Sequence, residues 1–495
     1  MAKFNVVRNP AQRLASRSDV TQNRAGGQAF KASPYMELYL RACSGFLSNN
    51  FYSTESQQLE GLRRAIFKTD RKYVLQLAEY VRTHMHLRTL STILLAEASQ
   101  EKFPEDQGKD VVSKSLLEEY APKIIQRPDE LTEVVSYLTN VLGDGNIKRM
   151  PNALKRGLVK AFKNFNEYSL AKYDRKGDIT LRDVMRLIHP KPDTPEQGEL
   201  FGRLISGDLA TPDTWETYIS ANGSNAKTWN AIAPKMGFMA LLRNLRNFEE
   251  KGATEALNIA IAKFRDKEAV AKSRQIPFRF LAALSEVTQS RTRDAIREAM
   301  DLSVANVPRI AQSLAVFVDT SGSMGSLISG KSKMRMLDVA ACLGGMTAAI
   351  SEADYAVYAF ATHCHEVDVS RRDSILTNAN KIIATSHQVG YGTLAYKGIE
   401  QLLLQKKKVD LVISFSDLQC YGDGASGPMA ATWQAYRNKI NPKALLVSVD
   451  LSGYGTLQFP EDDSNVIQIA GWSDKIFDVI AAFQNKEGVL KDIRV

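Results

Sequence analysis

The spacing of apolar residues changes once along this 495-residue chain, and the change constrains the fold more than any other feature. Up to Met300, apolar residues recur mostly every three or four positions, as in the run from Leu59 to Ile66, which is typical of amphipathic helices. From Gln312 onward, short apolar runs alternate with helical stretches. We therefore expect two modules, residues 1–305 and 306–495, which makes the chain mainly α followed by α/β.

The first module is predicted to consist of stacked helix pairs. Amphipathic segments of similar length follow one another, separated by short breaks that carry Pro, Gly or Asn. The alternation typical of strands is not found between Ser33 and Met300. Consecutive helices favour an α-solenoid of HEAT-like units, and a compact all-α bundle is the alternative because no strict sequence repeat is present.

The second module is predicted to be a doubly wound α/β domain. Its five apolar runs are Leu314–Val318, Tyr355–Ala361, Leu411–Phe415, Leu445–Val449 and Val466–Ala470. Near-continuous apolar strands that alternate with helices indicate a parallel sheet covered on both faces. Such sheets bind ligands at the carboxyl ends of their strands, so the residues that follow these runs are candidate site residues.

A set of oxygen donors lies at these positions. Asp319, Ser321 and Ser323 form an Asp-x-Ser-x-Ser pattern after the first run. Thr393 ends a Gly-Tyr-Gly-Thr loop, and Asp417 follows the third run. Two carboxylates and three hydroxyls, without His or Cys, suit Mg²⁺ or another hard divalent cation rather than zinc. The alternative is that these Ser and Asp side chains only cap helices.

The positive charge is concentrated in the first module. The chain carries 64 Lys and Arg against 55 Asp and Glu, yet residues 306–495 hold 18 basic and 19 acidic residues. Residues 148–191 alone have twelve basic residues and four acidic ones. On one predicted helix face lie Arg149, Arg156, Lys160 and Lys163. We call these four residues the basic ridge; it predicts binding to the phosphates of RNA or another polyanion, with a solvated helix face as the alternative.

Several classes of protein are disfavoured by the sequence. The longest apolar runs have the length of strands, so we expect no membrane-spanning helix. The first residues lack the apolar region of a secretory signal. Four scattered cysteines without a Cys-x-x-Cys motif indicate reduced thiols, and we therefore expect a cytoplasmic protein.

The oxygen donors resemble a known site. The Asp-x-Ser-x-Ser pattern, with Thr393 and Asp417, is similar to the metal-ion-dependent adhesion site of von Willebrand factor A domains. The resemblance extends over residues 311–483 and implies a Rossmann-like A domain that holds one divalent cation. It also implies that the cation binds an acidic group of a partner and does not catalyse a reaction.

The first module resembles the TROVE module of the Ro autoantigen family, in a form typical of bacteria or phages. The resemblance rests on the runs Asn166–Pro192 and Trp229–Asn247 and on Asn-Arg-Ala-Gly-Gly at 23–27. It implies a monomer whose helical repeats form a ring that the A domain closes. It further implies that Y-like small noncoding RNAs bind the basic outer surface, while single-stranded 3′ ends of misfolded or structured RNAs enter the ring's hole. A role in RNA quality control follows, with delivery to an exonuclease such as polynucleotide phosphorylase and without enzymatic activity of its own.

Carried over residue by residue, the resemblance assigns several RNA contacts. Lys172 and His189 match two of them, and a second basic residue is either Arg175 or Lys176. Arg243 and Arg246 are candidates for the cavity lining, with a role in ion pairs or on an exposed face as the alternative. The alternative function is a scaffold that recruits an acidic protein partner through the A-domain metal; a metal-dependent nuclease is less favoured because one cation with hydroxyl ligands makes a poor two-metal site.

Overall fold

The computed structural model describes residues 14, 16–44, 52–100, 102–103, 111–143, 150–275, 277–328, 332–421, 429–472 and 475–484. These residues divide into two compact units. One contains the described residues up to Leu59 and from Asn225 onward, and the other lies within Glu60–Ser224. This grouping by proximity differs from the division into 1–305 and 306–495, which stays a prediction about sequence modules.

The unit within Glu60–Ser224 is helical throughout the part that the structure describes. Its helices are Glu55–Ile66 (which begins just before the unit), Arg71–Thr83, Arg88–Ala98, Val111–Ile124, Pro128–Tyr137 with a π-helical turn at Leu138–Leu142, Asn152–Lys163, Glu167–Tyr173, Leu181–Ile188, Pro195–Ser206 and Trp215–Asn222. Neighbouring helices pack in pairs, for example Arg71–Thr83 on Arg88–Ala98 and Val111–Ile124 on Asn152–Lys163. The last of these helices buries an apolar stripe that includes Leu154 and Leu158. Paired helices with buried stripes agree with the predicted helical repeats.

The other unit begins with a short hairpin of two strands, β1 (Val20–Gln22) and β2 (Gln28–Lys31), and continues with a set of helices. These helices are Pro34–Ser44, Ala226–Ile232, Phe238–Glu250, Thr254–Arg265, Lys267–Ser273, Pro277–Leu284 and Ser290–Ser303. The run Trp229–Asn247 is divided between two of them. A short 3₁₀ segment, Ala233–Lys235, separates the two, since Pro234 offers no backbone N–H and Gly237 precedes the next helix.

The A domain of this unit is built around a six-stranded sheet. Its strands are β3 (Leu314–Asp319), β4 (Tyr355–Phe360), β5 (Cys364–Val367), β6 (Leu411–Ser416), β7 (Leu445–Asp450) and β9 (Val466–Ala470), in the spatial order β5-β4-β3-β6-β7-β9. All pairings are parallel except the one between β4 and β5. Every residue of β3 and β6 is buried, as expected for central strands covered on both faces. The predicted fold class, mainly α with a doubly wound α/β domain, is confirmed.

Further helices and one short strand complete this unit. The helices are Met336–Ile350, Ile375–Val389, Tyr396–Leu404, Met429–Lys439 and Lys475–Gln484. The short strand β8 (Thr456–Leu457) joins β1 and β2 in a second, antiparallel sheet. This sheet ties the beginning of the chain to the A domain, which the sequence patterns did not predict. No helix in the described ranges is long and apolar enough to cross a membrane.

Candidate metal centre and candidate nucleic-acid interface

The five predicted metal ligands lie on segments that meet at the carboxyl edge of the A-domain sheet. Asp319 ends β3 and Asp417 directly follows β6, and these parallel strands pair with Val318 opposite Phe415. The turn after β3 is fixed by a hydrogen bond of 2.9 Å from the Ser321 amide to Asp319 Oδ1.

The hydroxyl ligands are placed by short loops at the same edge. The Ser321 and Ser323 hydroxyl oxygens are 3.3 Å apart. The amide of Gly322 donates to the carbonyl of Tyr391 over 2.9 Å, so the turn after β3 and the loop that carries Thr393 are joined by their backbones. The Thr393 carbonyl in turn accepts from the amide of Tyr421 at 3.0 Å, which links the loop to the segment that follows Asp417.

The two carboxylates are fully buried, and neither makes an ion pair with a described residue. Asp319 accepts a hydrogen bond of 2.6 Å from the Ser416 hydroxyl, and Asp417 Oδ1 accepts one of 3.1 Å from the amide of Gln419. The second oxygen of Asp417, Oδ2, is buried and has no hydrogen-bond partner in the described part of the chain. A buried carboxylate oxygen without a partner is costly, and a bound cation is one way to satisfy it.

The electrostatics of the pair favour a cation. Burial and the neighbouring charge of Asp319 raise the pKa of Asp417 to about 7, and burial raises the pKa of Asp319. Asp450, at the end of β7, is also buried, and its pKa is raised to about 6. Oxygen donors of this type match the preferences of Mg²⁺, so the residues present fit the predicted metal.

A residue from the beginning of the chain also reaches this edge. Tyr52 is half-buried, and its ring packs edge-on against that of Tyr454, with the ring centres 5.6 Å apart. Burial and the negative charge of Asp417 raise the pKa of Tyr52, so its phenol is protonated at neutral pH. Sequence reasoning missed Tyr52 because an isolated tyrosine more than 250 residues before the Asp-x-Ser-x-Ser pattern carries no local signal.

The predicted RNA contacts between residues 148 and 191 are of two classes in the structure: those that pair with a carboxylate and those that form no ion pair with a described residue. In the basic ridge, Arg156 and Lys160 both pair with Glu118, at 2.7 and 2.8 Å. Hydrogen bonds from Lys160 and Arg156 hold the pKa of Glu118 below its usual value. Lys163 pairs with Asp193 at 2.5 Å. The fourth ridge residue, Arg149, lies outside the described residues.

The second class lies on or beside two short helices, Glu167–Tyr173 and Leu181–Ile188, that both pack on the helix Pro128–Tyr137. Its predicted members are Lys172, Arg175, Lys176 and His189. We call these four residues the open basic cluster, because none of them forms an ion pair with a residue that the structure describes. All are exposed except Lys172, which is half-buried.

The surroundings of the open basic cluster are aromatic. The Lys172 ammonium lies 5.7 Å from the ring centres of both Tyr168 and Tyr173. Tyr168 is 48% exposed, so one side of this cation–aromatic group faces solvent. His189 ends the second helix in the left-handed conformation, with φ of 51°, and the residue is exposed. Arg186 on the same helix is also exposed and without an ion pair among the described residues, which the charge count alone did not single out.

Arg243 and Arg246 are both exposed on the helix Phe238–Glu250, but their surroundings differ. Arg246 pairs with Glu286 at 3.0 Å and with Glu250 at 3.6 Å. Arg243 makes no ion pair within the described ranges. Arg246 is therefore engaged in ion pairs, and the cavity-lining role predicted for Arg243 and Arg246 stays a prediction.

Comparisons with known proteins give the family context of these sites. The family model of the TROVE domain matches residues 53–207 and 206–338, and that of the Ro60 vWA domain matches residues 313–484. The crystal structure of the Deinococcus radiodurans RO (RSR) protein superposes with a TM-score of 0.63, covering 92% of this chain and 99% of the other at 17% identity. At this identity, the likeness shows the fold.

Two curated relatives match a shorter part of the chain. The telomerase protein component 1 of Rattus norvegicus and that of Mus musculus are each 22% identical to it over 303 residues. Each alignment covers 44% of this chain but only 11% of the relative, so most of either relative has no counterpart here.

Proposed function

Because the chain belongs to the Ro family of TROVE-domain proteins, with which its TROVE and Ro60 vWA matches agree, we propose that it binds a Y-like small noncoding RNA through the open basic cluster. RNA binding of the Ro type is the function that family membership supports. The observation that carries the choice of surface is that Arg175 and Lys176 are exposed without an ion pair in the described part of the chain, close in sequence to Lys172, whose ammonium lies 5.7 Å from the ring centre of Tyr168.

The physical reason for this choice is competition between phosphates and carboxylates. A phosphate that approaches Arg156 or Lys160 must displace Glu118, which already accepts from both side chains. No such carboxylate has to be displaced from Arg175, Lys176 or His189 among the residues that the structure describes. Since RNA affinity comes largely from neutralised phosphates and released counterions, unpaired cations contribute more than paired ones.

The aromatic residues add a second kind of contact. Unpaired RNA bases stack on exposed tyrosine rings, and each such contact contributes about 1–3 kcal/mol. Tyr168 presents its ring beside Lys172, so one nucleotide has a stacking surface and a cation for its phosphate on the same short helix. This arrangement suits a loop or bulge of a folded small RNA better than a continuous duplex.

We assign a separate role to Arg243, the contact for single-stranded 3′ ends of misfolded or structured RNAs. Arg243 is exposed and makes no ion pair within the described ranges, whereas Arg246 pairs with Glu286. The proposed biological role is RNA quality control, in which a bound RNA is passed to an exonuclease such as polynucleotide phosphorylase. In this proposal the protein is a cytoplasmic RNA-binding monomer and not itself an enzyme.

The proposed metal centre is formed by Asp319, Ser321, Ser323, Thr393 and Asp417. When bound, Mg²⁺ supplies positive charge to two buried carboxylates that no described cation neutralises. Asp417 Oδ2, which is buried and lacks a hydrogen bond, is the observation that supports this role.

A scaffold function is the second candidate, and one observation favours it. Tyr391 is 78% exposed and Tyr421 is 41% exposed, and both lie on the loops that surround the metal centre. Exposed aromatic residues are enriched where proteins bind partners. An acidic partner that binds the metal is therefore the second candidate for the A domain.

RNA binding is tested with a fluorescent RNA hairpin that ends in a single-stranded 3′ tail. We compare Lys172→Ala/Lys176→Ala/His189→Ala with the matched variant Arg156→Ala/Lys160→Ala by anisotropy over a salt series. The first variant should lose at least about tenfold in affinity, or about 1.4 kcal/mol. Its salt slope should fall by about one for each phosphate that the variant no longer neutralises.

The matched variant should change affinity less, because its cations are already paired with Glu118. Equal losses in the two variants would refute the assignment to the open basic cluster, and no loss in either would refute RNA binding by this surface. Sequencing the RNA that copurifies with the protein from its native cell then identifies the ligand.

A further inference from the structure

The more exposed of the two tyrosines beside the metal centre lies on a loop that the structure holds in place. This residue, Tyr391, exposes most of its surface and belongs to the loop that carries Thr393. The carbonyl of Tyr391 accepts from the amide of Gly322 at 2.9 Å, and the amide of Gly392 donates to the Thr362 hydroxyl at 3.0 Å. The exposed ring is therefore presented by backbone that is anchored at Tyr391 and directly after it.

The second ring, that of Tyr421, is fixed by glycines on two other segments. A Cβ added to Gly392 would overlap the Tyr421 hydroxyl oxygen, so this ring packs directly on the loop of Tyr391. A Cβ added to Gly27 would lie 2.6 Å from the Tyr421 Cα, so only a glycine leaves room for that backbone. The Tyr421 amide also donates to the Thr393 carbonyl at 3.0 Å. Tyr421 stays exposed in spite of these contacts, and both tyrosines therefore face solvent from adjoining positions.

The surface around the two rings has no exposed acidic residue on the described segments that form it. These segments are Asp319–Ser326, Gly390–Thr393 and Asp417–Tyr421. Their acidic residues, Asp319 and Asp417, are both fully buried. Arg24, on an adjoining turn, is exposed, and its amide donates to the Gln419 side chain at 2.8 Å. The surface thus combines aromatic rings with positive charge, which suits a polyanion.

The donor set of the proposed metal centre also suits a phosphate. Mg²⁺ in proteins is usually held by one or two carboxylates, several waters and the phosphates of a ligand. Asp319 and Asp417 are the two carboxylates here, and the three hydroxyls add no charge to the set. A phosphate group is therefore a ligand of matching charge and hardness.

The aliphatic neighbours of the two tyrosines distinguish between classes of partner. The aliphatic residues of the three segments are Met324 and Leu418, and both are buried. The centre of a protein interface combines aromatic with other apolar residues, whereas single-stranded nucleic acids bind aromatic rings beside positive charge. Exposed tyrosines without exposed aliphatic neighbours on these segments therefore favour a nucleic acid.

We propose that this surface binds a single-stranded end of an RNA, with bases stacked on Tyr391 and Tyr421 and a backbone phosphate at the metal centre. Every base has a π-face, so stacking on tyrosine does not require a particular sequence. Arg24 adds positive charge for neighbouring phosphates, which contributes affinity through released counterions. The inference rests on the proposed RNA binding and the proposed metal centre, and it names the class of ligand that the A domain takes.

The first test measures binding of a short fluorescent uridine oligonucleotide to the full chain by anisotropy, with Mg²⁺ present. Tyr391→Ala should weaken binding about 5- to 100-fold, the range expected when one stacking contact is lost. Tyr35→Ala is the matched control, because Tyr35 is an exposed tyrosine outside the three segments, and its replacement should leave the affinity unchanged. An affinity that Tyr391→Ala leaves unchanged would overturn the inference.

Photocrosslinking locates the contact directly. An oligonucleotide with 5-iodouridine at its 3′ end should crosslink to Tyr391 or Tyr421, identified by mass spectrometry, and the yield should fall when a chelator replaces Mg²⁺. Crosslinks found only in other parts of the chain would contradict the proposal. If calorimetry shows Mn²⁺ binding but the chelator leaves the yield unchanged, the phosphate does not bind the metal; absence of Mn²⁺ binding would refute the metal centre as well.

Three outcomes separate this inference from the proposed function. If the RNA hairpin still binds through the open basic cluster while Tyr391→Ala leaves oligonucleotide binding unchanged, this inference alone is refuted. If the unmodified protein binds neither RNA, RNA binding and this inference fail together. If an oligoglutamate peptide binds in a Tyr391-dependent manner and the oligonucleotide does not bind, the partner of this surface is a protein and the inference is wrong.

Discussion

Replacement of Asn23 by Ala gives a local stability prediction that follows directly from the structure. Asn23 is 8% exposed, and its side chain takes part in four hydrogen bonds, two as donor to the carbonyls of Leu418 and Cys420 and two as acceptor within its own turn. Each such bond contributes about 1 kcal/mol, and leaving a buried partner unsatisfied costs more. We expect Asn23→Ala to lower the free energy of local opening of residues 16–44, which we call the N-terminal arm, by about 3–5 kcal/mol.

Native-state hydrogen exchange measures this opening residue by residue. Since 1.4 kcal/mol is a factor of ten, a decrease of about 3 kcal/mol should accelerate exchange more than about 100-fold at the protected amides of β2 and of the loop after Asp417. Asn258→Ala is the control: Asn258 is exposed and accepts one hydrogen bond, from Arg291 at 2.8 Å, so its replacement should change stability by no more than about 0.5 kcal/mol.

The distribution of the effect decides whether the reasoning is right. Asn23→Ala should leave exchange in the helix Thr254–Arg265 unchanged, because the side chain holds only the arm and the loop. An acceleration below about tenfold in β2 would mean that the hydrogen bonds of Asn23 contribute less than about 1.4 kcal/mol, and the predicted role would be refuted. A uniform acceleration in the whole protein would show global rather than local destabilisation.

Three further predictions concern the metal and the single-stranded RNA contact. Mg²⁺ at about 100 times its dissociation constant should stabilise the protein by about 2.7 kcal/mol, measured as a shift in thermal unfolding, and Asp417→Asn should abolish the shift. Without metal, the pKa values of Asp417 (about 7) and Asp450 (about 6) in the folded protein exceed that of an unfolded aspartate, so their stabilising contribution is complete below about pH 4 and is lost as the pH rises towards 7. The unfolding free energy of the unmodified protein, measured in a chelator and compared with that of Asp417→Asn, should therefore fall over this pH range. An unfolding free energy that stays level over the same range would show that the pKa shift is absent. Arg243→Ala should weaken binding of a single-stranded RNA tail more than Arg246→Ala, because Arg246 is already paired; the reverse order in an anisotropy titration would contradict this assignment.

Local patterns in the sequence predicted the architecture of the A domain well. The five apolar runs correspond to β3, β4, β6, β7 and β9 with ends that differ by at most one residue. A fully buried strand needs a continuous apolar run, and this requirement is visible without any tertiary information. The edge strand Cys364–Val367 was missed because it is short and partly exposed, so its sequence lacks such a run.

The metal centre was predictable for a related reason. Its carboxylates and hydroxyls follow strands whose parallel pairing brings their ends together, so strand positions alone placed Asp319 and Asp417 side by side. The binding of metal by these residues stays a prediction, supported by the unpartnered Asp417 oxygen.

The availability of the predicted RNA-binding cations depended on residues far away in sequence. The charge count gave Arg156 and Lys172 the same weight. In the structure, Glu118, 38 residues before Arg156, pairs with Arg156, whereas Lys172 forms no ion pair with a described residue. Likewise, Lys163 pairs with Asp193, 30 residues further on. A helical-face pattern records charge along one helix and contains no information about acids on the helix packed against it.

The sequence by itself therefore determined where the amphipathic helices and the five long strands of the A domain form, which oxygen donors follow those strands and which part of the chain is basic. These properties follow from the local periodicity of apolar residues and from the identity of residues at strand ends. Only the tertiary structure decided which cations stay unpaired, and only it placed Tyr52 and Asn23 beside a site formed by residues much later in the chain. Their interactions join distant segments through packing and single hydrogen bonds, and no short-range pattern encodes such interactions.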